Sequence, residues 1–201
     1  MKKLLIMIIT LLIVTVSACE DGSSKQVNTL AAADLTDREQ GILAVITDKS
    51  YIFDFTIDPQ YKKAAVGIEK YEFGRLISGG LTLEVDVGEQ GSIIFAVSEA
   101  AEHENQQIFR FGINSEGSSA SGSQTDSISE KGREVKLSTW ASSSQLMDVT
   151  ENEMVLAAMI YSFEKNSINS FSEEFFKDAE VRESELKNKE AVYLFKCKFT
   201  K

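Results

Sequence analysis

The sequence predicts a mainly β protein, an antiparallel β-sandwich of the immunoglobulin-like or jelly-roll-like kind. Three observations carry that expectation. Several short segments alternate apolar and polar side chains, the period of a half-buried strand. Stretches rich in glycine or serine separate them, as turns require. One run, Met154 to Phe163, is apolar almost throughout, which suits a strand covered on both faces.

Before any strand, Lys2 and Lys3 precede an apolar run of 13 residues, Leu4 to Val16, and small Ser17 and Ala18 stand before Cys19. A basic, an apolar and a small-residue part in that order make a secretory signal. The run falls short of the roughly 20 residues that a membrane-spanning helix needs. Val16-Ser17-Ala18-Cys19 resembles the lipobox of bacterial lipoproteins. The resemblance implies cleavage of residues 1–18 between Ala18 and Cys19, and a diacylglyceryl group on the Cys19 thiol with acyl chains such as palmitate. It also implies a domain held by lipid on the outer face of the cell membrane, in a Gram-positive-type envelope. Residues 19–33 read as a flexible tether, polar from Glu20 to Lys25, and 34–201 as a single domain.

Within the domain, Thr36 and Glu39 have the spacing of a capping box, which predicts a short helix over 36–45 despite Gly41. Tyr51, Phe53 and Phe55 then alternate with Ile52 and Asp54. Leu81 to Val87 places four aliphatics on one face, with turn chemistry expected from Gly79-Gly80 and from Gly88 to Gly91. Ser92–Val97, Ile108–Ile113 and Val135–Thr139 continue the period of two. Residues 115–131 hold one aliphatic larger than alanine and read as a disordered loop. A helical insertion is expected near 170–187, started by a second capping-box spacing, Ser170 and Glu173, with Phe171, Phe175 and Phe176 packing on the sheet. Tyr193, Phe195, Cys197 and Phe199 share one face of a last strand, so Cys197 is expected to be buried and inert.

Composition limits function. The 183 residues from Cys19 onward carry 19 basic and 31 acidic side chains, a formal charge of −12. Nucleic-acid phosphates repel such a domain. A two-lobed solute-binding protein is disfavoured at this length. With Cys19 lipidated, Cys197 has no intramolecular partner, and the domain relies on its core alone.

Reactive constellations are scarce. His103 is the one histidine, in a polar stretch, and offers no identifiable nucleophile beside it. One histidine and one free cysteine cannot build a zinc site, and no segment has the spacing of a calcium loop. Glu173, Glu174, Asp178 and Glu180 read as a solvated helix face. Ser162-Phe163-Glu164-Lys165 matches the S-x-x-K string of penicillin-recognising enzymes, without their other elements, and is read as a strand end. Trp140, Tyr61, Tyr71 and Phe73 are candidates for an aromatic platform. Neither cofactor nor metal is called for. The expected function is therefore a non-catalytic binding or accessory domain with an envelope protein or cell wall as partner. The competing expectation is a hydrolase of envelope polymers, with Asp54, Asp58 or Glu99 as acid and base.

Overall fold

The computed structural model describes residues 27–100, 106–128, 135–163 and 167–201. Ala18, Cys19, His103 and Lys165 lie outside them, as do the signal and the first part of the expected tether. Among the described residues, eleven strands and three helices follow one another: β1 (Thr29–Ala32), α1 (Asp37–Ile46), β2 (Lys49–Thr56), β3 (Lys63–Glu72), β4 (Arg75–Asp86), β5 (Gln90–Glu99), β6 (Gln106–Ser115), β7 (Ser118–Ser127), β8 (Leu137–Ser142), β9 (Met147–Asp148), β10 (Met154–Ser162), α2 (Glu173–Lys177), α3 (Ala179–Leu186) and β11 (Ala191–Thr200).

They form a β-sandwich of two antiparallel sheets. Six strands in the order β7-β6-β5-β2-β1-β9 make one sheet, and five in the order β4-β3-β11-β10-β8 make the other. Alternation decides which side chains meet between them. Phe53, Phe55, Phe95, Phe109 and Phe111 point inward from the six-stranded sheet, and Val66, Ile68, Tyr193, Phe195 and Phe199 from the other. Ring pairs cross the gap: Phe109 and Tyr193 at 4.5 Å between centroids, Phe95 and Phe195 at 5.1 Å, Phe55 and Phe199 at 5.1 Å. Cys197 is wholly buried among them, and burial pushes its thiol pKa up.

β10 is apolar on both faces because both are covered. A register shift between Val155 and Ala157 turns Leu156 and Ala157 alike toward the main core. Val155, Ala158 and Ile160 face outward and join Val192 and Leu194 beneath Phe175, Phe176 and Leu186 of the helices, a second, smaller core. β11, last in the chain, lies inside its sheet between β3 and β10.

Four expectations need correction. The tether does not extend to residue 33: Thr29–Ala32 is a strand paired with β2 and β9, and Leu30 is fully buried. A four-residue strand of two alanines is too short to show a period. Residues 118–127 are a strand paired along its length with β6, not a disordered loop. Their inward positions lack large apolar side chains, and at Gly122 Phe111 occupies the space: a Cβ there would come within 2.8 Å of its ring. Gly79 and Gly80 lie within β4 instead of ahead of it; Gly79 has φ +103°, and a Cβ there would sit 1.9 Å from the Ile68 carbonyl. Ser170 does not cap a helix. Ser172 precedes α2, and Asp178 begins α3 by accepting from the amides of Glu180 and Val181 at 2.8 and 2.9 Å.

Candidate docking surface

α1 starts as its spacing predicts. The Glu39 amide donates to the Thr36 hydroxyl oxygen at 3.3 Å, and the Thr36 amide donates to the Glu39 carboxylate at 2.8 Å. The Thr36 hydroxyl, which donates to the same carboxylate at 2.7 Å, and then the Thr36 amide hold the Glu39 carboxyl below its ordinary pKa. The helix ends against β5: the Asp48 amide donates to the Val97 carbonyl at 3.0 Å, and the Glu99 amide to Asp48 Oδ2 at 2.8 Å.

No residue of α1 is buried. At 100° per residue, Gln40, Leu43, Ala44 and Thr47 share one side, and that side lines a groove of about 220 Å³ against Lys49 and Ser50 of β2. Ile42, Val45 and Ile46 share the opposite side and are 50, 86 and 63% exposed. The helix is therefore mounted with its most apolar stripe turned away from the domain. An aromatic rim stands beside the groove. Lys49 Nζ lies 5.6 Å from the Tyr51 ring and 5.7 Å from the Trp140 ring, distances at which a cation and a ring face attract. The Tyr51 hydroxyl is enclosed without a hydrogen-bond partner among the described residues, and burial raises its pKa.

The carboxylates expected to act as acid and base are dispersed. Asp54 is on the outward face of β2, where its Oδ1 accepts from the Ser92 hydroxyl at 2.6 Å. Glu99 lies seven residues further along β5 than Ser92, roughly 23 Å away along the strand, and on the inward side. Asp58 sits past the far end of β2, with its Oδ1 accepting from the Gln60 amide at 2.9 Å. A glycosidase pair stands within about 10 Å. The aromatic residues are equally scattered. Tyr61 is buried, Tyr71 bonds Glu69 on the outward face of β3, and Phe73 is the exposed tip of the β3–β4 turn.

Ser162 is the buried end of β10, and lines a cavity of about 300 Å³ with Tyr161, Ile168, Asn169 and Lys189. Glu173, Glu174, Asp178 and Glu180 are solvated as expected. Among the described residues no group of three or more His, Cys, Asp or Glu is placed to hold a metal ion. Sequence reasoning missed the α1 stripe, although Ile42, Val45 and Ile46 have the i, i+3, i+4 spacing of one helix face. The spacing gives an apolar face; it does not say which way that face is mounted.

No curated protein and no solved structure matches the chain. The model of one protein family does, over residues 29–199, from the first residue of β1 to the penultimate residue of β11. That match spans the whole sandwich, and the chain belongs to the YgaN domain family.

Proposed function

We propose that the protein is a non-catalytic binding module, held by lipid at Cys19 on the outer face of the cell membrane, which engages another envelope protein through α1. The observation that carries this reading is the stripe Ile42, Val45 and Ile46, exposed on a helix that buries none of its residues. An amphipathic helix laid into an apolar groove is a recurrent mode of protein recognition, read from anchors at this spacing. A protein groove suits the stripe better than the bilayer does. Membrane-surface helices carry lysine and arginine on their polar side; α1 has Asp37 and Glu39 beside its single Arg38, in a domain of charge −12. The lipid attachment rests on the lipobox-like residues 16–19.

The test uses intact cells. A photo-crosslinking residue at Val45 should capture one envelope protein. Val45→Asp in the same chain, probed from Ile42, should reduce that capture at least tenfold. Capture of lipid alone, or capture indifferent to Val45→Asp, would reject the docking role. Separately, a labelled fatty acid should mark the wild type and not Cys19→Ala. An unlabelled wild type would reject the anchor while leaving the helix test intact.

A further inference from the structure

Among the described residues, α1 reaches the outward face of the six-stranded sheet at its Ser50 end, whereas α2 and α3 cover the outward face of the other sheet. In register, its central rows read Asp54-Ser92-Asn114-Ser119, Ile52-Ile94-Gly112-Ser121 and Ser50-Ala96-Arg110-Ser123 across β2, β5, β6 and β7. No lysine or glutamate stands in these rows, though those are the chain's commonest charged residues. Half-buried Ile52 and Ile94 sit in the middle and serines lie toward β7. An apolar centre with an uncharged polar rim is the anatomy of a protein interface.

Two charges remain, and their placement names the occupant. Asp54 lies one strand and two residues from Ile94; Arg110 lies one strand and two residues from it in the opposite direction. Each is roughly 8 Å from Ile94, given the strand spacing and rise. Both are exposed, and each is steadied by a serine: Ser92 donates to Asp54 at 2.6 Å, and Arg110 donates to Ser98 at 3.2 Å. Neither has an ion-pair partner among the described residues. A two-fold axis in the plane of contact, through Ile94 and perpendicular to the line joining the two charges, lays Asp54 of one copy on Arg110 of the other, twice. The same operation sets Ile94 against Ile94.

We infer that this face is the self-association surface of the protein, an isologous dimer centred on Ile94. Other occupants fit less well. The three rows lack the aromatic rings that stack on sugars, and the basic cluster that anionic lipid selects. Four strands by about five residues cover roughly 320 Å² in projection. That is below the ~800 Å² per partner of a standard stable interface, so the dimer is weak and concentration-dependent. The proposal is independent of the role given to α1.

The experiment applies a short, membrane-permeant bismaleimide to cells expressing the full chain. The wild type sets the baseline for Cys19 and Cys197. Ile94→Cys should form a cross-linked dimer well above that baseline, and above Thr82→Cys, an exposed position on β4 of the other sheet. Adding Asp54→Arg, which opposes like charges twice, should lower the yield about tenfold. Adding Arg110→Asp as well should restore it. Cross-linking of Ile94→Cys no greater than that of Thr82→Cys would overturn the proposal. So would a yield unmoved by Asp54→Arg, or a product of any mass other than twice the chain.

Discussion

Replacing Glu116–Ser127 by a short Gly-Ser connector separates a strand from a loop. If these residues only closed a loop, shortening it would change stability by well under about 1 kcal/mol, because closure entropy varies slowly with length. The structure gives a different magnitude. β7 lies over the edge of Phe109, Phe111 and Ile113, which are 0, 6 and 1% exposed. Uncovering about 50 Å² on each costs roughly 4 kcal/mol in total at 25 cal/mol per Å². The Tyr193 hydroxyl would also lose Asp126 Oδ2 at 2.9 Å, and the Lys70 ammonium would lose the Ser127 carbonyl at 2.8 Å. Unsatisfied buried polar groups add about 1–3 kcal/mol. A total near 6 kcal/mol approaches the stability of many whole domains. The assay is urea unfolding followed by Trp140 fluorescence. At a slope of about 2 kcal/mol per molar, the midpoint should fall by roughly 3 M or the protein should fail to fold. Asp126→Ala, a milder change, should cost about 1–2 kcal/mol. A midpoint moving by less than about 0.5 M on replacement would refute the structural role of β7.

Three other outcomes are expected. The Cys197 thiol should resist maleimide in the native protein and react promptly in urea, since it is fully buried and burial raises its pKa; native reaction within seconds would contradict the core described. Two glycine substitutions should move stability in opposite directions by thermal or urea unfolding. Gly41→Ala, with nothing within 4 Å of the new Cβ, should stabilise α1 by up to about 1 kcal/mol. Gly91→Ala should destabilise by up to about 3 kcal/mol, because its Cβ would fall 2.4 Å from the Asn114 carbonyl and 2.5 Å from the Phe55 ring. Burial raises the pKa values of Tyr51, Tyr161 and Tyr193, so their stabilisation is complete below pH ~10 and is lost as pH rises above it. With three groups, stability should fall by about 4 kcal/mol per pH unit beyond that point, read from urea midpoints; a flat profile between pH 9 and 11.5 would exclude the burial of these hydroxyls.

Strands that bury large side chains on one face announced themselves. β5 and β6 carry Ile, Phe and Val, and β11 carries Tyr, Phe and Cys, at every second position, and the period survives whatever lies opposite. β10 was legible for a related reason: two covered faces leave no place for polar residues. β7 was not, because its inward residues, Ala120, Gly122, Gln124 and Asp126, include no large apolar side chain, and at Gly122 the Phe111 ring of the neighbouring strand leaves no room for one. Its sequence has the composition of a linker and the backbone of a strand. Glu116-Gly117, with Gly117 at φ +76°, is the two-residue turn that joins it to β6, and was the one local cue. The candidate surfaces were harder still. Asp54 stood out as a carboxylate suited to acid–base work, but its relation to Arg110 depends on three strands in register, which one sequence does not display.

The placement of β11 has a consequence for how the chain comes into being. Its partners in β3 are far behind it, Thr200 opposite Lys63 and Phe195 opposite Ile68. Until Ala191–Thr200 exist, β3 and β10 have no common neighbour, and the aromatic layer lacks Tyr193, Phe195 and Phe199. A sheet closed by such distant pairings gains its contacts late and slowly. The order of the strands thus delays compaction until β11 itself has been made. Export through a translocation pore as an extended chain, which the proposed lipid anchor requires, would gain from that delay, because the five-stranded sheet cannot close before β11 is made.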